Sequence, residues 1–142
     1  MKFNIYSTND YLEENLLHYL KQVENSSVQF FDYEDNVIKG DKIIFICDKW
    51  DQDYLKNIKK NKDIYILTTD LNLHLERLNT LIAKVKPLEN ILNTFWRKNQ
   101  IPLSFNCTIT SEALNLFVQM ITKSNFGCFN LINPGSVNGK DI

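Results

Sequence analysis

The sequence predicts an α/β protein built on a five-stranded, mostly parallel sheet, and three observations carry that expectation. The first is residues 42–48, Lys-Ile-Ile-Phe-Ile-Cys-Asp, where four large apolar residues follow one another with no polar partner. So short a run, rich in β-branched and aromatic types, suits a strand buried on both faces; a helix would be longer and show a polar stripe. The second is that two runs of similar cut, 3–8 and 63–69, bracket it. The third is that helix-like stretches lie between these runs, and strands alternating with helices imply a parallel sheet covered on both sides. Asp48 then falls at the carboxyl edge of the central strand, the edge at which open α/β sheets gather ligand chemistry.

The totals agree with one globular fold. A chain of 142 residues buries an ordinary core without disulfide or metal staples. Its hydrophobic share of 44% and charged share of 23% are those of a globular protein and not of a disordered one. No apolar run has the length of a membrane span and no signal-peptide stretch opens the chain, so a cytoplasmic protein without membrane contact is expected. Cys47, Cys107 and Cys128 are odd in number and far apart, with only His18 and His74 to help them; a zinc site is not expected, and buried free thiols are. The net charge of −1 hides an acidic excess before residue 84 and a basic excess after it, too mild to argue for nucleic acid.

Taken in order, 3–8 reads as the first strand and 11–23 as a helix. Leu12, Leu16, Tyr19, Leu20 and Val23 make its apolar stripe, and Asp10 stands ahead as a cap. Residues 28–33 form a second strand, 34–41 a polar connection, and 42–48 the central strand. Residues 49–62 read as a helix from the four-residue spacing of Trp50, Tyr54 and Ile58. Strand 63–69 follows, then a helix over 71–83 striped by Leu71, Leu75, Leu78 and Ile82. A brief fifth strand over 83–86 leads to a helix over 88–96. Past the unit 1–97, residues 98–142 read as a linker, an amphipathic helix over 110–122 and an irregular tail.

At the carboxyl ends of the strands stand Asn9-Asp10, Asp48, Thr68-Thr69 and Lys86-Pro87. Read singly, Asp48 and the two threonines also suit helix caps, and Lys86 a solvated lysine ahead of a helix-starting proline. Together and in this order they resemble the phosphoacceptor site of response-regulator receiver domains, and the segment 84–92 (KVKPLENIL) matches that family best. The resemblance implies a flavodoxin- or receiver-like three-layer sandwich. It implies Asp48 as phosphoacceptor, Asp10 and Asp48 as Mg²⁺ ligands, and Thr68, Thr69 and Lys86 as contacts to the phosphoryl oxygens. Phosphoryl transfer needs such a set: a carboxylate nucleophile, a cation against the charge, and donors on the oxygens. The sequence also departs from the family. One acid stands where receivers carry an adjacent pair, and Trp50, two residues after Asp48 where a small turn is usual, is expected to crowd the mouth of the pocket.

The departures lead to an expectation of a pseudo-receiver that needs no cofactor, with Mg²⁺ and Asp48 phosphorylation as the alternative. Residues 108–121 are similar to the opening of the DNA-binding part of LuxR-type two-domain transcription regulators. That part needs about four helices, and Gly127, Pro134 and Gly135 fall where a recognition helix should run, so DNA binding by this chain alone is not expected. The expected function is regulatory and non-enzymatic, exerted on a second copy or a homologous regulator through Leu75, Leu78, Phe95 and Trp96.

Overall fold

The computed structural model describes residues 1–32, 42–56, 58–87, 104–105, 108–132 and 137–138. A six-stranded parallel sheet organises them. Its strands are β1 (Lys2–Ser7), β2 (Ser27–Phe30), β3 (Lys42–Cys47), β4 (Ile64–Thr68), β5 (Thr80–Lys84) and β7 (Gly127–Asn130), in the order β2-β1-β3-β4-β5-β7. The first five follow the flavodoxin-like order, in which β1 and β3 are neighbours whose connections leave in opposite directions. A separate two-stranded antiparallel pair joins β6 (Ser104–Phe105) to β8 (Val137–Asn138).

The run 42–48 is the centre of the sheet, as its composition predicts. Every residue of β3, β4 and β5 is buried. Alternation sorts their side chains onto two faces. On the first, Phe3, Ile5, Ile44, Ile46, Tyr65, Leu67, Leu81 and Ala83 meet two helices. These are α1 (Asp10–Leu20), which inserts Leu12, Leu16 and Leu20, and α2 (Thr110–Thr122), which inserts Leu114, Phe117, Val118 and Ile121. The stripe read from 110–122 is thus the buried face of α2. On the second face, Ile43, Phe45, Cys47, Ile64, Ile66 and Ile82 are covered by Trp50, Tyr54 and Leu73. Phe45 stacks on Tyr54 at 5.6 Å, and Trp50 meets both rings edge-on at 5.4 and 5.1 Å.

Two of the expected helices are not formed. The described residues of 49–62 yield one 3₁₀ turn, Gln52–Leu55, whose start is capped by the Asp51 carboxylate accepting from the Asp53 N–H at 2.9 Å. The spacing of Trp50 and Tyr54 reflects burial of both against the sheet, Tyr54 from that turn and Trp50 from just ahead of it, and the polar, lysine-rich run after Ile58 offers no further face to bury. Residues 71–83 are not a helix either. Their last four residues, 80–83, belong to strand β5, so the fifth strand is 80–84 and not 83–86. The apparent stripe mixes Ile82, buried in that strand, with Leu78, which is 85% exposed. A continuous apolar run buried on both faces overrides a four-residue spacing that helix and coil can share.

What holds the connection 69–79 without a helix is Arg77. Its guanidinium donates to the carbonyls of Lys59, Lys62 and Leu78 at 3.1, 2.7 and 3.1 Å, and to the Thr80 hydroxyl at 3.1 Å. The planar fork thereby satisfies carbonyls from two loops at once, which a single ammonium cannot span. Asn79, at φ +54°, turns the chain into β5. The tail beyond α2 holds the sixth strand, β7, paired with β5 from Leu81 opposite Gly127 to Lys84 opposite Asn130. The expected helix 88–96 lies outside the described residues.

Candidate functional site

The candidate site lies where the strand order reverses, at the carboxyl ends of β1 and β3. The chain leaves β1 toward the first face, into α1, and leaves β3 toward the second face, into Trp50 and the 3₁₀ turn. This divergence makes the crevice in which open α/β sheets hold ligands. Asp48 stands in it as an exposed carboxylate just past the end of β3.

Two side chains converge on Asp48. The Asn9 amide donates to Asp48 Oδ1 at 2.7 Å, and the Thr69 hydroxyl donates to the same oxygen at 2.9 Å. Asn9, and not Asp10, is the N-cap of α1; its Oδ1 accepts from the Leu12 N–H at 3.0 Å. That contact fixes the amide, because the oxygen must face the backbone donor and the nitrogen must then face Asp48. Ser7 supports the turn by accepting from the Asn9 N–H at 3.2 Å. Asp48 therefore receives charge-assisted hydrogen bonds from a neutral amide and a neutral hydroxyl.

The other residues singled out from the sequence take different places. Asp10 is the first residue of α1, exposed to solvent, and no hydrogen bond or ion pair joins it to Asp48. Thr68 is fully buried; its hydroxyl accepts from the Asp70 N–H at 3.0 Å and lies 3.8 Å from the Cys47 thiol. Lys86 is held by its backbone, donating to the Thr108 hydroxyl at 2.7 Å and accepting from the Thr108 N–H at 2.8 Å. Thr108 in turn donates to the Leu131 carbonyl at 2.6 Å, tying the exits of β5 and β7 together. Trp50, expected at the mouth of the crevice, is buried against Phe45 and Tyr54 instead.

Among the described residues no group of three or more His, Cys, Asp or Glu side chains is placed to hold a metal ion. Cys47 is a buried thiol, as expected, and burial pushes it up to about 11. Cys128, expected to be buried, is exposed on β7, and Cys107 lies outside the described residues. Of the expected contact residues, Leu75 is partly buried against the second core cluster and Leu78 is exposed. Phe95 and Trp96 lie outside the described residues. No described helix is long and apolar enough to cross a membrane.

Asn9 is the residue that the sequence undervalued. Its sequence signal is its place just before the first helical residue, where asparagine is among the best caps. Fold and site define an open parallel α/β sheet of flavodoxin-like order with the exposed carboxylate of Asp48 at its switch point. Comparison with known protein families, curated proteins and solved structures returns no match.

Proposed function

We propose that this chain is a non-enzymatic, receiver-like regulatory module, allied to the LuxR-type transcription regulators and cytoplasmic. It acts by contact with a second copy of itself or with a homologous regulator. The observation that carries this reading is the 2.7 Å hydrogen bond from the Asn9 amide to Asp48. In a phosphorylating receiver, an acid at that position and a divalent cation offset the charge that builds on the phosphoryl group. Here a neutral amide faces the carboxylate and donates to its Oδ1. The burial of α2 in the main core supports the same reading, since that helix packs on α1 and the sheet.

The experiment is incubation with acetyl phosphate and Mg²⁺, followed by intact-mass analysis. The module is expected to gain no phosphoryl group. A second reading, phosphorylation of Asp48, is favoured by the exposure of its carboxylate and by the Thr69 hydroxyl beside it. A stoichiometric adduct that is lost in Asp48→Ala would establish that reading and end the first. The contact itself is tested by light scattering on the purified chain. Replacing the exposed Leu78 by Lys should weaken self-association, and a chain that stays monomeric at high concentration would leave only the homologous regulator as partner.

A further inference from the structure

The opposite, amino edge of the sheet carries a second cluster of polar side chains. Lys42 opens β3, and its residue is only 7% exposed. Its ammonium donates to the Tyr65 hydroxyl at 3.0 Å and to the Ser124 hydroxyl at 2.6 Å, and it sits 5.2 Å from the centre of the Tyr65 ring. Tyr65 is fully buried in β4, and the Phe126 ring stacks on it at 5.8 Å. Ser124 follows α2 and is exposed, so it forms the mouth of the cluster.

A helix C-terminus attracts a lysine for its own sake, so that explanation comes first. It does not fit the hydrogen bonds. The end of α2 is already closed by backbone donors: the Asn125 N–H reaches the Met120 carbonyl at 2.9 Å and the Ser124 N–H reaches the Ile121 carbonyl at 3.1 Å. Lys42 bonds the two hydroxyl oxygens and neither of those carbonyls. Nor is the Ser124 backbone relaxed. Among the described residues, three that are not glycine have positive φ; two are asparagines, which tolerate that region, and the third is Ser124 at +54°. Glycine is the usual choice at this position after a helix, and glycine would remove the hydroxyl that Lys42 engages.

Counting hydrogens shows what is left over. An ammonium has three N–H donors and no acceptor, and two of the three are spent. Each hydroxyl accepts from it and so keeps its own hydrogen to donate. Among the described residues neither hydrogen has an acceptor, and Lys42 has no carboxylate partner. A buried lysine with no carboxylate partner among the described residues, in a cluster that keeps three donors unspent, is an unfavourable arrangement by itself. An anion with several acceptor oxygens satisfies all of it together.

We propose that Lys42, Tyr65 and Ser124 form an oxyanion-binding site at the amino edge of the sheet, entered past Ser124 and fitted to a phosphate group. Phosphate matches better than a carboxylate, because its oxygens meet the three donors separately and its charge exceeds that of one lysine. The site lies at the opposite ends of the strands from Asp48 and needs no metal.

The test is calorimetric titration of the full chain with inorganic phosphate at constant ionic strength and without Mg²⁺, so that the Asp48 edge takes no part. Acetate and chloride serve as parallel titrants. One saturable phosphate site is expected. Ser124→Gly relaxes the backbone while removing one donor, and should weaken binding about tenfold, the worth of a charge-assisted hydrogen bond. Lys42→Met should abolish binding; if that variant does not fold, Ser124→Gly decides alone. Absence of saturable phosphate binding, binding unchanged in Ser124→Gly, or acetate bound in place of phosphate would each overturn the assignment.

Discussion

The side-chain amide of Asn9 reaches the carboxylate of Asp48 across the point where the strand order reverses, at 2.7 Å. One residue thereby caps α1 with its oxygen and donates to the central-strand acid with its nitrogen. The crevice at the carboxyl edge of the sheet is thus bridged by a side-chain hydrogen bond between residues that follow β1 and β3.

That relationship makes Asn9→Asp an informative substitution. Asp caps a helix as well as Asn does, so α1 should persist. The new carboxylate would face Asp48 at hydrogen-bond distance, exchanging an attraction for a like-charge repulsion. A loss of about 1 kcal/mol is expected in metal-free buffer, modest because Asp48 is exposed. Mg²⁺ should restore it, because two carboxylates and water make a serviceable Mg²⁺ site. Thermal melts with and without Mg²⁺ measure this, and a wild-type chain that responds to Mg²⁺ as strongly as the variant would contradict it.

Arg77 is expected to matter far more than a half-exposed surface arginine usually does. Arg77→Met strips donors from the Lys59, Lys62 and Leu78 carbonyls together and should cost about 2 kcal/mol in chemical denaturation. Arg77→Lys should recover little, since one ammonium cannot serve both loops. Full recovery with lysine would show that charge alone matters there.

Cys47 predicts a pH dependence with a definite sign. Burial raises its thiol from 9.0 to about 11 in the fold. Below pH 9 both states hold the proton and stability is unaffected. Between pH 9 and 11 the unfolded chain releases it first, so stability falls, by about 2 kcal/mol at the top of that window. Tyr54, raised from 10.0 chiefly by burial, adds to the fall above pH 10. Urea unfolding across this range should show a shallower slope in Cys47→Ser, and thiol titration should find Cys128 reactive and Cys47 silent until unfolding.

The helix α2 should prove integral to the fold. Phe117 is fully buried among residues from both helices and the sheet, and Phe117→Ala should cost about 3–5 kcal/mol. A fragment ending at residue 97 lacks α2 and β7 and would leave Leu81, Ala83 and Val85 without their cover. It should show no cooperative unfolding transition by circular dichroism. A fragment that melts sharply would establish residues 1–97 as an independent unit.

The sequence by itself determined the class of the fold, because its strongest signals are local. The unbroken apolar run of β3 admits few alternatives to a doubly covered strand, and the stripes of α1 and α2 repeat at the helical period over three turns or more. Asp48 was legible as an edge residue for the same reason. Tertiary structure decided what local pattern leaves open. Leu71, Leu75, Leu78 and Ile82 satisfy a helical spacing, yet residues 80–84 pair with β4 and β7, which buries Ile82 in the sheet and leaves Leu78 exposed. The chain around Gly127–Asn130 is short and holds a glycine, so only an existing neighbour in β5 makes it a strand. The partners of Asp48 and of Lys42 come from residues as distant as Asn9 and Ser124, and hydrogen bonds across 39 and 82 positions of chain leave no trace in local spacing.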